Sequence, residues 1–518
     1  MDFFGSKVLG EISRVVTVEE GILEGIPAGN PAYTIFKGVP FATPPVGAYR
    51  WRGAAPAEKW EGVRKCDVFP PISIQAPQME GGFYQKEFFP APVPMSEDCL
   101  YLNIWTPDTT GTKKLPVMFW IHGGGFQGGY SHELEFDGEA MCKRGVILVT
   151  VTYRLGALGF FAHPELSARC PHKVSGNYAI TDCIQALKWV KANIAKFGGD
   201  PDCVTIFGQS AGGAMTQSLV TSPIAKGLFA RAIVQSAGGI NTLGGATMAD
   251  LENLGVAVCE KLGLTIDELK ALPEAECFEK VNTAVREIRG FGLHYTPCSD
   301  GYYQPKLAGA AIAANEHHNI DYMTGSVSGD GGLFGGRPVA TVAEFEAGIR
   351  AANGALADKY LELYNVKSDD DLPAINSART AVGSKLAPRG WAFSEIKNGR
   401  KPIYAYYFDR KMPGDGAGAY HSSELWYIFG TIDRCWRSME PGFCLGDYAL
   451  SRAMTDYWTN FAKTGNPNGD TVPEWPAFTS DTPVTMTLTE KEIIAKDLGG
   501  DKILDGTVSL LMEQVFSE

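Results

Sequence analysis

The sequence predicts an α/β fold with a central, mostly parallel sheet, flanking helices and a helical cap. Two observations lead to this prediction. Short apolar runs rich in β-branched residues alternate with an amphipathic helix in the middle of the chain. Glycine accounts for 60 of the 518 residues, above the usual level of about 7%, and part of this surplus forms turns directly after two of those runs.

Two apolar segments predict central strands of the sheet. Residues Lys114–Ile121 and Val146–Tyr153 are nearly continuous apolar runs, typical of strands that are covered on both faces of a parallel sheet. A helix is predicted next from apolar residues that recur every three or four positions. They are Ile180, Ile184, Leu187, Val190 and Ile194. Gly198 ends this helix, and Val204–Phe207 is the next short strand. The order strand, helix, strand indicates a doubly wound sheet.

A single large domain is predicted for residues 1–518, because no repeat, low-complexity tract or linker interrupts the chain. Within this domain, residues 250–350 are expected to form a mainly helical cap over the edge of the sheet. Residues Gly81–Met95 are rich in aromatic residues and proline, and we expect a loop there.

The charge balance and the cysteines exclude several classes of protein. With 46 Lys and Arg against 59 Asp and Glu, the net charge is −13, and an acidic surface repels nucleic acid and anionic membranes. No apolar run reaches the ~18 residues of a membrane span, and residues 1–14 show no signal peptide. Eleven cysteines without a CxxC pair are typical of free thiols in a reducing compartment. We therefore expect a cytoplasmic protein with no nucleic-acid partner and no membrane span.

The sharpest local motif is GQSAG at Gly208–Gly212, directly after the strand Val204–Phe207. A serine on a tight strand-to-helix turn is strained and exposes its hydroxyl, and the glycines are needed because side chains there would collide with neighbouring backbone. An ordinary turn is the alternative in so glycine-rich a chain. The strand in front and the small residues behind the motif favour Ser210 as a nucleophile.

A second motif, HGGGF at His122–Phe126, follows another predicted strand. Its bare backbone N–H groups can bind the oxyanion of a tetrahedral intermediate, and losing one such donor typically costs roughly 3 kcal/mol of barrier. The glycines at Gly123, Gly125 and Gly128 also fit a dinucleotide-binding fingerprint. That fingerprint needs an acidic residue at the end of the next strand, and Val146–Tyr153 carries none, so a nicotinamide or flavin site is disfavoured.

A serine nucleophile needs a histidine base and an orienting acid, in the chain order serine, acid, histidine. Of the eight histidines, His421 is the only one in the last 200 residues. Three others fall within the predicted cap, namely His294, His317 and His318. Asp330 fits best as the acid, because the glycine-rich segment 325–336 can fold tightly beneath the histidine. Asp300 is the rival, although it reads more plainly as a turn residue before Gly301.

These motifs belong to longer blocks, and the chain resembles the type-B carboxylesterases nearly from end to end. This group contains bacterial para-nitrobenzyl esterases, fungal lipases, animal carboxylesterases and cholinesterases. Besides HGGGF, the blocks are Phe36–Trp51, Ser96–Pro107, Thr152–Phe161, Phe197–Gly213, Glu424–Gly430 and Asn460–Asn468. The resemblance implies the α/β-hydrolase fold and a serine esterase that forms an acyl-enzyme on a small-molecule ester. It implies no metal and no organic cofactor.

The resemblance also assigns residues. It implies a triad of Ser210, Asp330 and His421, the same three residues that the motifs favour. The implied oxyanion hole consists of the backbone N–H groups of Gly124, Gly125 and Ala211. Two ion pairs, Arg50–Glu97 and Arg154–Asp182, are implied as parts of the scaffold. Ser236 is a candidate brace for the acid, and a plain buried serine is the equal alternative.

The chain departs from the family pattern at several positions. The acid is Asp330 where the family usually has Glu, and Gln209 replaces a common Glu before the nucleophile. The loop Gly81–Met95 lacks the cation-binding Trp of cholinesterases, so a choline-type substrate is disfavoured. Cys99 has no family partner cysteine, which again favours the cytoplasm.

Pocket walls are predicted from Phe126, Gln209, Trp426 and the aromatic residues of Gly81–Met95, namely Phe83, Tyr84, Phe88 and Phe89. They suggest small to medium neutral esters with aryl or short acyl groups, and packing in the core or at the rim is the alternative for each. Some cholinesterase-like chains are adhesion proteins without a triad, but here every triad and oxyanion position is kept. The sequence does not distinguish a monomer from a homodimer.

Overall fold

An 11-stranded sheet runs through the protein, and the computed structural model describes it within residues 12–240, 245–334, 337–439 and 442–516. Two features of the sequence analysis fall partly outside these ranges. The first is the N-terminus, residues 1–11, where no signal peptide is predicted. The second is the end of the glycine-rich segment 325–336 that contains Asp330, namely Gly335 and Gly336.

The strands of the described residues are short, and most have three to seven residues. In chain order they are β1 (Val15–Thr17), β2 (Ile22–Glu24), β3 (Ile26–Pro27), β4 (Thr34–Pro40), β5 (Val63–Lys65), β6 (Tyr101–Thr106), β7 (Leu115–Ile121), β8 (Ile147–Val151), β9 (Gly199–Gln209), β10 (Arg231–Gln235), β11 (Ala246–Thr247), β12 (Cys298–Ser299), β13 (Asp321–Val327), β14 (Tyr404–Phe408), β15 (Val484–Leu488) and β16 (Ile493–Asp497).

The α-helices of the same residues range from single turns to five turns. They are α1 (Phe83–Phe88), α2 (Glu139–Cys142), α3 (Gly156–Phe160), α4 (Pro164–Arg169), α5 (Tyr178–Asn193), α6 (Ala211–Thr221), α7 (Met248–Leu262), α8 (Ile266–Ala271), α9 (Glu274–Arg289), α10 (Ala308–Ala313), α11 (Gly331–Phe334), α12 (Val342–Asn353), α13 (Ala357–Tyr364), α14 (Leu372–Gly383), α15 (Leu386–Lys397), α16 (Leu425–Ile428), α17 (Leu445–Thr464) and α18 (Lys502–Phe516).

The large sheet has the strand order β16-β15-β14-β13-β10-β9-β7-β8-β6-β4-β3. The strands from β15 to β8 in this order pair in parallel. The strands at both ends pair antiparallel. The prediction of a central, mostly parallel sheet is therefore confirmed.

Strand β7 shows why its sequence is apolar almost throughout. Val117, Phe119 and Ile121 belong to one hydrophobic core, together with residues of α5 and α6. Met118 and Trp120 belong to a second core, which includes residues of α17. Successive side chains of a strand point to opposite faces, so helices cover the sheet on both sides and leave no position for a polar residue.

Two predicted ranges differ from the observed elements. Gly81–Met95, expected as a loop, contains the short helix α1. The range 250–350, expected as a mainly helical cap, contains most or all of α7 to α12 but also β13. Because β13 pairs with β10 and β14 inside the central sheet, the helices of this range do not form one uninterrupted insertion.

The two scaffold ion pairs are present and buried. Arg50 Nε lies 2.5 Å from Glu97 Oε1, and Arg154 Nη2 lies 2.6 Å from Asp182 Oδ1. Arg154 also bonds the carboxylate through Nε, so the pair is bidentate. The first pair joins the segment between β4 and β5 to the residues before β6, and the second joins the residues after β8 to α5.

The eleven cysteines all lie in described parts of the chain, and none forms a disulfide there. None of the described helices is both long enough and apolar enough to cross a membrane.

Candidate active site

Ser210 sits at the turn between β9 and α6. Its backbone has φ 57° and ψ −126°, a conformation that costs a non-glycine residue on the order of 1–3 kcal/mol. The turn is held because the Ser210 N–H donates to the carbonyl of Gln235 on β10 at 2.9 Å. A Cβ at Gly212 would overlap the carbonyl oxygen of Ile121. The glycine therefore lets α6 begin against the end of β7 and leaves the serine at the tip of the turn.

The glycine loop that follows β7 packs against this turn. A Cβ at Gly123 would lie 2.9 Å from the carbonyl oxygen of Gln209 and 3.3 Å from Cβ of Ser210. Tyr153 donates its hydroxyl to the His122 carbonyl at 2.7 Å and fixes the start of the loop. Among the described residues, no acceptor is hydrogen-bonded to the N–H groups of Gly124 and Gly125. These donors remain available beside Ser210.

His421 and Asp330 are brought together by two loops. His421 Nδ1 lies 2.5 Å from Asp330 Oδ1, and Asp330 Oδ2 accepts the N–H of Val327 at 3.0 Å. The Gly329 N–H donates to the carbonyl of Ala419 at 2.9 Å, which ties the acid loop to the histidine loop. Asp330 is fully buried.

The charge state of His421 depends on this carboxylate. Burial lowers the pKa of His421, but the negative charge of Asp330 and the hydrogen bond to it outweigh burial, and the pKa is raised above its usual value. A histidine in this setting is a stronger base than a free imidazole.

Asp300, the rival acid, lies in a different environment. Its Oδ2 accepts a hydrogen bond from Asn177 Nδ2 at 2.8 Å. Its Oδ1 accepts the N–H groups of Tyr302 and Gln304 at 2.8 and 2.9 Å. Asp300 therefore closes a turn, and its carboxylate is occupied by that turn.

Gln209 lies beside the histidine. Its Nε2 is 3.2 Å from His421 Nε2, and its Oε1 accepts the hydroxyl of Ser422 at 3.1 Å. The side chain thus joins the end of β9 to the histidine loop with a neutral amide, where the family commonly has a carboxylate.

One cavity of about 470 Å³ contains both Ser210 and His421 in its wall. Its other wall residues are mainly glycines and apolar side chains. They include Tyr84, Phe88, Phe89, Gly124, Gly125, Phe126, Phe136, Gln209, Ala211, Leu293 and Leu425. Five of the seven predicted pocket residues are therefore in the wall, namely Tyr84, Phe88, Phe89, Phe126 and Gln209. Phe83 is not among the wall residues.

Trp426, another predicted pocket residue, is not among the residues that line this cavity, and that prediction is wrong. Its side chain is fully buried and stacks on Phe88 with ring centroids 5.6 Å apart. Phe88 and the neighbouring Leu425 line the cavity, so Trp426 supports the wall from behind. Ser236 also differs from expectation, because its hydroxyl forms no hydrogen bond with any described residue.

Three buried acids near the cavity are missed by the sequence analysis. Glu133 and Glu135 line the cavity, and Glu424 is fully buried close to Asp330 and His421. Burial and the charge of Asp330 raise the pKa of Glu424 to about 8. Glu133 and Glu135 lie in the polar segment 131–139 and have no distinguishing sequence signal. Glu424 adjoins the apolar run 425–429, but this position does not reveal the direction of its side chain.

The sequence profile of the Carboxylesterase family matches residues 12–502. The chain is 36% identical over 473 residues to fumonisin B1 esterase of Sphingopyxis macrogoltabida, covering 89% of this chain and 84% of that relative. It is 33% identical over 508 residues to para-nitrobenzyl esterase of Bacillus subtilis (strain 168), covering 94% and 97%.

Solved structures are also similar. A PNB esterase superposes with a TM-score of 0.81 at 29% identity, covering 95% of this chain and 99% of the other. A carboxylesterase of Geobacillus stearothermophilus superposes with a TM-score of 0.76, also at 29% identity, covering 95% and 99%. The predicted α/β-hydrolase fold is thereby confirmed.

Proposed function

Because the chain belongs to the carboxylesterase family and is a carboxylic-ester hydrolase, we propose that it acts through Ser210, His421 and Asp330 and an acyl-enzyme. The observation that carries this proposal is the 2.5 Å contact between His421 and Asp330, at a cavity that Ser210 also lines. The three side chains come from three separate segments of the chain.

The chemistry follows from the roles of the three groups. Ser210 Oγ attacks the ester carbonyl while His421 takes its proton through Nε2. Asp330 holds the imidazole in the tautomer with the proton on Nδ1 and stabilises the imidazolium. His421 then gives the proton to the leaving alcohol, and a water activated by the same histidine releases the acid.

The oxyanion is proposed to bind to the N–H groups of Gly124, Gly125 and Ala211. Support comes from the glycine loop, where the first two N–H groups have no acceptor among the described residues. Ala211 is the first residue of α6, so its N–H is also one of the unpaired donors at a helix N-terminus. Such preorganised donors stabilise charge where it develops in the transition state.

The substrate is proposed to be a small to medium neutral ester with an aryl or short acyl group. A cavity of about 470 Å³ is within the usual range for small-molecule sites, and aromatic side chains make up much of its wall. Two relatives are esterases named for para-nitrobenzyl esters and for fumonisin B1, and aryl esters fit the apolar wall best.

We further propose that residues 1–518 form one domain, that the helices of 250–350 outside β13 form its cap, and that the protein works in the cytoplasm. The continuous central sheet supports the single domain. Free thiols at all eleven cysteines, which lie in described parts of the chain, support a reducing compartment.

The test is hydrolysis of para-nitrophenyl esters of graded acyl length, and of aryl acids, by the wild type and by Ser210→Ala. We expect the wild type to prefer short or aryl acyl groups, and Ser210→Ala to lose roughly 10⁴-fold or more in kcat. Full activity of Ser210→Ala would contradict the proposed nucleophile. A preference for emulsified long-chain esters would contradict the substrate class but not the nucleophile.

A further inference from the structure

Two carboxyl groups in the cavity wall take no part in the proposed chemistry. Glu133 and Glu135 line the same cavity as Ser210 and His421. Their exposed fractions are 8% and 1%, so both carboxyls are withdrawn from bulk water. Charged groups this deeply buried are rare unless another group compensates them.

No cationic side chain compensates this pair within the described residues. Glu133 Oε1 accepts the backbone N–H of Tyr130 at 2.8 Å, whereas Glu135 Oε2 accepts no hydrogen bond from any described donor. The nearby Glu87 shows the contrast, because it is equally buried but lies 2.5 Å from Arg437 Nη2. The scaffold thus neutralises one buried acid and leaves two neighbouring acids without a counter-charge.

The electrostatics of the pair favour a cation. Burial raises the pKa of Glu133, and burial together with the charge of Glu133 raises the pKa of Glu135. Without a counter-charge both carboxyls therefore favour the protonated, neutral form. A positive group bound between them would favour the ionised form and pair with it. Phe88, Phe89 and Phe136 line the same cavity, and aromatic rings also attract cations.

The position of the pair indicates which part of the substrate it faces. Thr431 Oγ1 donates to the backbone carbonyl of Glu135 at 2.8 Å, and the ring centroids of Phe136 and Phe429 are 5.2 Å apart. The Glu135–Phe136 segment therefore packs against residues 429–431. His421, which protonates the leaving alcohol in the proposed chemistry, lines the same cavity as both carboxyls, and the alcohol part of the ester is the part assigned to them.

We propose that Glu133 and Glu135 form a binding site for a protonated amine carried on the alcohol part of the ester substrate. The inference rests on the proposed function and deepens it, because it names a substrate class. It restricts the prediction of a neutral ester to the acyl part, and it departs from the expectation that a choline-type substrate is disfavoured, because here two carboxyls rather than a Trp would bind the cation.

The test compares two esters of nearly equal shape, 2-(dimethylamino)ethyl butanoate and 3-methylbutyl butanoate, at neutral pH and fixed ionic strength. The first carries an ammonium where the second carries a CH group. We expect the wild type to favour the cationic ester in kcat/KM by about 10-fold or more, the size typical of a charge-assisted contact. In the double variant Glu133→Gln/Glu135→Gln this preference should disappear, chiefly through KM, with the neutral ester changed less than about 3-fold.

Glu139→Gln serves as the matched control. Glu139 lies six residues beyond Glu133 and accepts the backbone N–H of Asn30, and it is not among the residues that line the cavity. The variant removes one negative charge from the same segment, so the preference for the cationic ester should persist. If the control also lost the preference, the preference would come from the net charge of the protein, and the proposed site would be overturned.

A second measurement needs no folded variant. Isopentylamine should inhibit wild-type hydrolysis of the neutral ester competitively and about 10-fold more strongly than isopentanol. Equal inhibition, or equal kcat/KM for the two esters, would overturn the carboxyl site. Failure of the proposed function has a different signature, namely neutral-ester hydrolysis that survives Ser210→Ala.

Discussion

At the scale of single residues, the contact between Asp330 and His421 is the most informative feature. Aspartate is one methylene shorter than the glutamate usual in this family, so its loop has to approach the histidine more closely. The hydrogen bond from the Gly329 N–H to the Ala419 carbonyl holds the acid loop close to the histidine loop. As a result, Asp330 Oδ1 lies 2.5 Å from His421 Nδ1. The shorter acid is thus accommodated by backbone placement.

The variant Asp330→Asn tests this role. We expect kcat to fall by roughly 10³–10⁴-fold, because an amide stabilises the wrong histidine tautomer and cannot stabilise the imidazolium. Steady-state kinetics on a para-nitrophenyl ester measure the effect. Asp300→Asn is the control, and its kcat per folded molecule should stay within several-fold of the wild type. If Asp300→Asn lowered kcat more than Asp330→Asn, the assignment of Asp330 as the acid would be wrong.

The pH profile of kcat/KM gives a second test at this scale. His421 has to be neutral to accept the serine proton, so activity is lost as the pH falls through its pKa. Because Asp330 raises that pKa above the usual 6.5, the acid limb of the wild type should lie above pH 6.5. In Asp330→Asn the residual activity should show an acid limb at lower pH. If the acid limb had the same midpoint in both proteins, a group other than His421 would control it.

The residues that could be predicted from the sequence are those with a local signature. Ser210 follows a strand within a glycine-flanked turn, and Asp330 and His421 follow from chain order and glycine content. Glu133, Glu135 and Trp426 could not be predicted in the same way, because the direction of each side chain is set by packing between distant segments. Trp426, for example, points away from the cavity because Phe88, more than 300 residues earlier in the chain, occupies the wall.

At the scale of elements, the strands at the centre of the sheet could be predicted well, since burial on both faces leaves a continuous apolar run. The predicted run Lys114–Ile121 agrees with β7 to within one residue at its N-terminal end. The short helix α1 could not be predicted from its composition, because aromatic residues and proline favour no regular element there and the helix is stabilised by contacts with other segments. One such contact joins Glu87 of α1 to Arg437.

A pair of glycine variants tests how the elements constrain the site. Gly212→Ala should lower the melting temperature and the activity strongly, because its Cβ would overlap the carbonyl oxygen of Ile121. Gly348→Ala, on the exposed side of α12 with open space around the new Cβ, should raise stability by about 0.5–1 kcal/mol. Thermal unfolding of both variants measures the contrast. Equal tolerance at the two positions would contradict the close approach of α6 to β7.

At the scale of the whole molecule, the covalent state of the cysteines is testable. The eleven cysteines lie in described parts of the chain and form no disulfide there. We therefore expect eleven titratable thiols per denatured chain without reductant, and a melting temperature that a reductant leaves unchanged. Fewer thiols, together with a lower melting temperature in reductant, would show a stabilising disulfide.

The central claim is that Ser210 becomes acylated at the cavity it shares with His421. The most direct measurement is labelling of the wild type with a fluorophosphonate, followed by intact mass and peptide mapping. We expect a single label on the peptide that contains Ser210, with activity lost in proportion to labelling and no label on Ser210→Ala. Two results would contradict the claim that Ser210 is the nucleophile. One is stoichiometric labelling of another residue with loss of activity, and the other is full activity in a chain labelled at Ser210.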